Sequence, residues 1–171
     1  MSRTLLRRLV VVLGITVLGG ALAFSCQGGG PDKSPPSDEL LLALGQVRNF
    51  HHKADVQVED GHPEAAIESL TQALAVPFPP GAPEAEDVRL DTRARIAKLE
   101  LGLGRVDDAE QVVRGGLGQS TRESFFQANL HVVLADVLRA RGNAHGAIDE
   151  LDTAIQIEKR LQAKVLEEKK P

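Results

Sequence analysis

The stretch "AKLELGLGRVDDAEQVVRGGL", Ala97 to Leu117, decides how this chain is read, because it has two counterparts. "ADVQVEDGHPEAAIESLTQAL" begins at Ala54 and "ADVLRARGNAHGAIDELDTAI" at Ala135, and the three align without a gap. Ala54, Ala97 and Ala135 open them, Gly61, Gly104 and Gly142 follow seven residues later, and Ala66, Ala109 and Ala147 lie five beyond. Seven further on stand Ala73, Gly116 and Ala154, followed by Leu74, Leu117 and Ile155. Two antiparallel helices need small side chains where their backbones approach, and a glycine between them lets the chain turn back. One large apolar position in each segment, Leu70, Val113 or Leu151, is expected to supply the burial that alanine cannot.

This pattern resembles the tetratricopeptide repeat over roughly residues 40 to 160, as about three units. The resemblance implies an all-α fold of antiparallel helix-hairpin repeats, a TPR-like α-solenoid. The chain departs from the family in two ways. At the motif positions where the family usually has aromatic residues only Phe50 is present, and its glycines are 43 and then 38 residues apart, against a unit of about 34. The surplus falls in "VPFPPGAPE" and "GQSTRE", where Pro77, Pro79 and Pro80 cannot continue a helix. The units are therefore expected to stack less regularly than in a tight superhelix.

Composition points the same way. With no Trp, no Tyr and five Phe, a core must be built from Leu, Val, Ile and Ala, which suits helices better than sheet. The periodicity predicts a first helix over Asp38–Glu59, with Leu40, Leu44, Val47, Phe50, Ala54 and Val58 on one face. Pro63 suits the first turn of its partner, ending near Val76, and Pro83 with Glu84, Glu86 and Asp87 opens the third helix. The fourth runs from about Val106 to Leu117. Ser120 and Glu123 read as a capping box for the fifth, which reaches about Arg141. The last starts near Ala144, carries Ile148, Leu151, Ile155, Leu161 and Val165, and runs on as the cap a solenoid requires. The helical repeat domain thus spans residues 38–166, with a frayed charged tail at 167–171.

The N-terminus reads as an export segment, residues 1–25. "MSRTLLRR" is cationic, and Leu9–Phe24 is an uncharged apolar run of 16 residues, short of the about 20 that a membrane span needs. Three fates compete: a cut after Ala23, an uncut inner-membrane anchor, and lipidation. Ala23-Phe24-Ser25-Cys26 resembles a bacterial lipoprotein signal, although Ala23 and the bulky Phe24 depart from its pattern. In that family the cysteine is the lipid attachment point. Cys26 is the only cysteine, so it has no intramolecular disulfide partner. Residues 26–37, rich in Gly, Pro and Ser, read as a flexible tether. The implied location is exported and membrane-anchored, facing the periplasm, and Gln27 after the cysteine leans towards the outer rather than the inner membrane.

From Cys26 onward 24 acids face 17 Lys and Arg, which argues against nucleic acid as a partner. No catalytic constellation is found. Adjacent His51 and His52 point about 100° apart on a helix, His62 adds no helical spacing, and His131 and His145 stand alone, so neither a metal nor any cofactor is expected. The resemblance carries a groove onto Arg48, His51, His52, Asp55, Arg95, Lys98, Asn129, Asp136 and Arg139, a mixed but locally basic set fit for an acidic segment or a peptide carboxylate. It implies a non-enzymatic scaffold or assembly factor that binds another envelope protein or a peptide segment. Two rivals stay open: a structural or dimerising subunit using its outer helix faces, as a homo-oligomer or within a larger complex, and an enzyme accessory subunit.

Overall fold

A computed structural model describes residues 36–170. They form six α-helices: α1 (Asp38–Glu59), α2 (Pro63–Leu74), α3 (Pro83–Gly102), α4 (Val106–Leu117), α5 (Phe125–Ala140) and α6 (Ala144–Glu168), with no strand among the described residues. The fold is all-helical. The segment read as an export signal, Cys26, the part of the expected tether up to residue 35 and Pro171 lie outside the described residues. Among the described residues no helix is long and apolar enough to cross a membrane.

Three tight turns join α1 to α2, α3 to α4 and α5 to α6, and each pair packs along its length. The turns share one hydrogen-bond pattern. Gly61, Gly104 and Gly142 have φ of 81°, 75° and 78°, the left-handed conformation that a side chain makes costly. The amides of Gly61, Gly104 and Gly142 donate to the carbonyls of Val58, Leu101 and Arg139. The next amides, of His62, Arg105 and Asn143, donate to Gln57, Glu100 and Leu138. Each is a Schellman motif, which satisfies helix-end carbonyls that would otherwise lack partners.

The helices also pack across the pairs: α3 against α2, and α5 against both α3 and α4. Ala54, Ala66, Ala73, Ala97, Ala109, Gly116, Ala135, Ala147 and Ala154 are all buried. Leu130 approaches Gly116 so closely that a Cβ there would stand 2.6 Å from its Cδ2. The largest core joins Leu90, Val113, Leu130, Val133, Leu134 and Val137, and a second joins Leu70 and Ile96 to Ala54 and Ala66.

Three expectations need correcting. The capping box at Ser120 and Glu123 is not used. Glu86 of α3 takes the loop's donors instead, Ser120 Oγ at 3.0 Å and Thr121 N at 3.0 Å, while Glu123 pairs with Arg160. With residues 120–122 held by that carboxylate, α5 starts later, and Ser124 Oγ caps it by accepting from Gln127 N at 3.2 Å. Second, the apolar residues expected to seat the last helix face outward. Ile148, Leu151, Ile155 and Val165 are exposed, whereas Ala147, Ala154 and Ile157 are buried and Leu161 is half-buried. Nothing lies on the outer side of α6 among the described residues, so its stripe stays open. Third, Val58 is exposed at the end of α1, while near its start Ala43 joins Val47, Ala73 and Val76 in the core. At the far end Glu167 and Glu168, assigned to the tail, complete the last turn of α6.

Candidate functional site

The groove residues expected from sequence come from three first-of-pair helices, α1, α3 and α5. Successive side chains along a helix with i, i+3, i+4 spacing share one face, which places Arg48, His51, His52 and Asp55 together on α1. They line a cleft of about 400 Å³ with Leu44, Val47, Val88, Asp91, Arg95 and Phe126. Asp55 and Arg95 also line a second hollow with Lys98, Val58 and Leu70. Lys98 in turn borders a third with Leu101, Asp136 and Arg139. Shared lining residues therefore connect eight of the nine. Asn129 is half-buried on α5 and lines none of the three.

Arg95 is the centre of the cluster. Its Nη1 donates to Asp55 Oδ1 at 3.0 Å, and its Nε to Asp91 Oδ2 at 3.2 Å. Arg139 is held in the same way by Asp136 at 3.0 Å. This corrects the expectation of a locally basic face, because two of its arginines are matched by carboxylates. Sequence reading missed Asp91, although it lies four residues before Arg95, a helical ion-pair spacing. Among the described residues, Arg48 and Lys98 have no carboxylate within ion-pairing distance, and both are exposed.

His51 is the most enclosed polar group of the cleft, with 15% of its side chain exposed. Its Nε2 lies 2.9 Å from Thr92 Oγ1, and Thr92 gives its one hydroxyl proton to the Val88 carbonyl at 2.7 Å. The ring must therefore donate through Nε2–H. Nδ1 is left facing Asp91 Oδ2 at 3.9 Å. Burial, and then the nearby Arg95 charge, lower the pKa of His51 below its ordinary value, against the opposite pull of Asp91 and Asp55. The ring acts as a neutral bridge between α1 and α3. His52 is exposed on the cleft rim, and His62 sits outside it, 3.3 Å from Asp60. His131 donates from Nδ1 to Glu150 at 2.7 Å, tying α5 to α6. Among the described residues no three His, Cys, Asp or Glu side chains gather in a metal-binding group.

The face combines apolar floors at Val47, Val88 and Leu70 with polar groups held in place at Asp55, Asp91 and Arg95 and, among the described residues, two cations without a carboxylate partner, Arg48 and Lys98. No protein-family model matches the chain, and no curated protein matches it in sequence.

Proposed function

We propose that this chain is a tetratricopeptide-like repeat protein, exported and anchored in the cell envelope by lipid on Cys26. In this reading it holds another envelope protein, or a peptide segment of one, on the face centred on Asp55 and Arg95, and it performs no chemistry. The observation that carries the reading is the threefold recurrence of one turn: the same hydrogen bonds at Gly61, Gly104 and Gly142, with buried Ala or Gly at the same offsets on either side. Recurring hairpins stacked side by side bring their first helices to one face, which is where such arrays bind. There Arg48 and Lys98 are free to receive a carboxylate of the partner, while Asp55 and Asp91 discourage a strongly acidic one.

Capture of partners from solubilised membranes tests the groove. Arg48→Glu/Lys98→Glu is the suitable variant, since both side chains are exposed and hold nothing in place. The double variant is expected to lose partners that the wild type retains; recovery of the same set by both would remove the groove from the proposal. Intact mass of the mature chain tests the anchor separately. A chain starting at Cys26 with added acyl mass supports it, and one starting at Phe24 with a bare thiol sinks it.

A further inference from the structure

Leu70, Val113 and Leu151 hold one register position in α2, α4 and α6, at successive offsets of 43 and 38 residues. The first two are covered by the helix that follows. Leu70 is 2% exposed and packs with Ile96 of α3, and Val113 is fully buried among Leu130 and Leu134 of α5. Leu151 is 41% exposed, and Ile148 and Ile155, about one turn to either side, are 55% and 44% exposed. The spacing i, i+3, i+7 makes one stripe on the helix surface. It is not a loosely packed inner face, because Ala147, Ala154 and Ile157 already serve α6 as its buried side.

Two identities for the missing cover are a first helix of another copy and a second α6. The register argues against the first. Where α3 and α5 present Ile96 and Leu134 to the preceding pair, α1 carries Lys53, and where they present Thr92 and Leu130 it carries Asn49. Both α1 residues are exposed. Seating α1 on the stripe would set Lys53 and Asn49 where the inner seams hold mostly apolar side chains and take an ammonium out of water, a costly act that also disfavours an open head-to-tail chain. A second α6 meets no such obstacle. On the flank of the stripe away from α5 lie Asp152 and, seven residues on, Lys159. Seven residues is two turns, so both stand on the same side of the helix. When two α6 helices cross antiparallel about Ile155, Asp152 of each copy meets Lys159 of the other. A parallel pair would put the two Asp152–Lys159 flanks on opposite sides of the interface, where neither residue finds its complement.

We infer that two copies of this chain pair through α6, antiparallel, burying the Ile148–Leu151–Ile155 stripe between them. The pairing is independent of the groove reading, since it uses the opposite end of the helix array. The interface is small and lies in the class of weak, micromolar contacts.

Sedimentation equilibrium of the full chain in density-matched detergent tests it. The wild type is expected to be a concentration-dependent dimer, and Ile155→Asp a monomer with unchanged helical circular dichroism, because the side chain is exposed. Asp152→Lys alone is expected to raise the dissociation constant by about tenfold or more. The exchange Asp152→Lys/Lys159→Asp is expected to restore it. A wild type that stays monomeric into the high micromolar range overturns the inference. So does a dimer indifferent to Ile155→Asp, which would place association in another part of the chain. An exchange variant that fails to recover overturns the antiparallel arrangement.

Discussion

α4 and α6 are near-copies in pattern and opposite in circumstance. Each begins just after a left-handed glycine turn, sets small residues against its partner helix, and carries a large apolar residue at the same register. In α4 that residue, Val113, lies at the centre of the largest core, whereas in α6 it is Leu151, open to solvent. Where helix pairs pack side by side, burial thus belongs to the neighbour as much as to the residue. A side chain with the right spacing becomes core only if a further pair is laid on top of it. The two ends of the array differ in the same respect, with polar Asn49 and Lys53 at the front and an apolar stripe at the back.

The sharpest way to break the comparison is to delete the same atoms at a covered and an open position of that register, Leu70 of α2 and Leu151 of α6. Leu70→Ala is expected to lower the stability of the chain by about 3 kcal/mol, as transfer and cavity terms add in a covered site, and Leu151→Ala by less than about 1 kcal/mol. Urea denaturation at low protein concentration measures both. Equal losses would mean that Leu151 is covered in solution. Repeating the Leu151→Ala measurement at high concentration, where two copies pair, is expected to widen its cost.

Next in size are the turns. Gly104→Ala and Gly142→Ala each place a side chain at positive φ, at a cost of about 1–2 kcal/mol. The local strain is the same, but its spread differs. Hydrogen exchange is expected to accelerate in α3, α4 and the helices beside them for Gly104→Ala, and in α6 and the end of α5 for Gly142→Ala. Identical exchange patterns would show that the six helices unfold as one unit and that end and middle are not distinct. A smaller loss, about 1 kcal/mol in thermal or urea unfolding, is expected for Ser124→Ala, which removes the cap of the covered helix α5. Ser120→Ala should cost less, because Glu86 keeps its bonds to Thr121.

The helices were legible in the sequence because their signals are local. Pro63 and Pro83 at first turns, glycines at Schellman positions and a 3.6-residue apolar period each act within a few residues, and α1 and α4 start and stop where those signals place them. What was not legible depends on partners far along the chain. Ser120 and Glu123 have the local form of a cap, but Glu86, more than thirty residues earlier, claims the loop. Arg95 looks like a free cation until Asp55, forty residues away, is set beside it. Leu151 has the period of a core residue and lacks only the helix that would make it one.

The smallest effect expected belongs to His51, and it lies on the covered side of the array. Burial of the ring, and then the Arg95 charge beside it, hold its folded pKa below the ordinary 6.5. Between that lowered value and 6.5 the unfolded chain binds a proton that the folded chain does not, so stability rises with pH across this window and falls as the solution is acidified. Glu86, Glu110 and Glu123 act in a separate window. In Glu86, burial opposes ionisation but is outweighed by hydrogen bonds from Thr121, Ser120 and Arg122, and Glu110 and Glu123 are lowered first by bonds from Arg114 and Arg160. Depressed carboxylates contribute above their unfolded value near 4.5 and lose that contribution as pH falls through their folded values. His51→Gln keeps a donor for Thr92 and removes the titration, so it should flatten the slope just below pH 6.5. An unchanged slope in the variant would mean that the α1–α3 seam is open to water at His51. The front of the array would then be as loosely covered as the back.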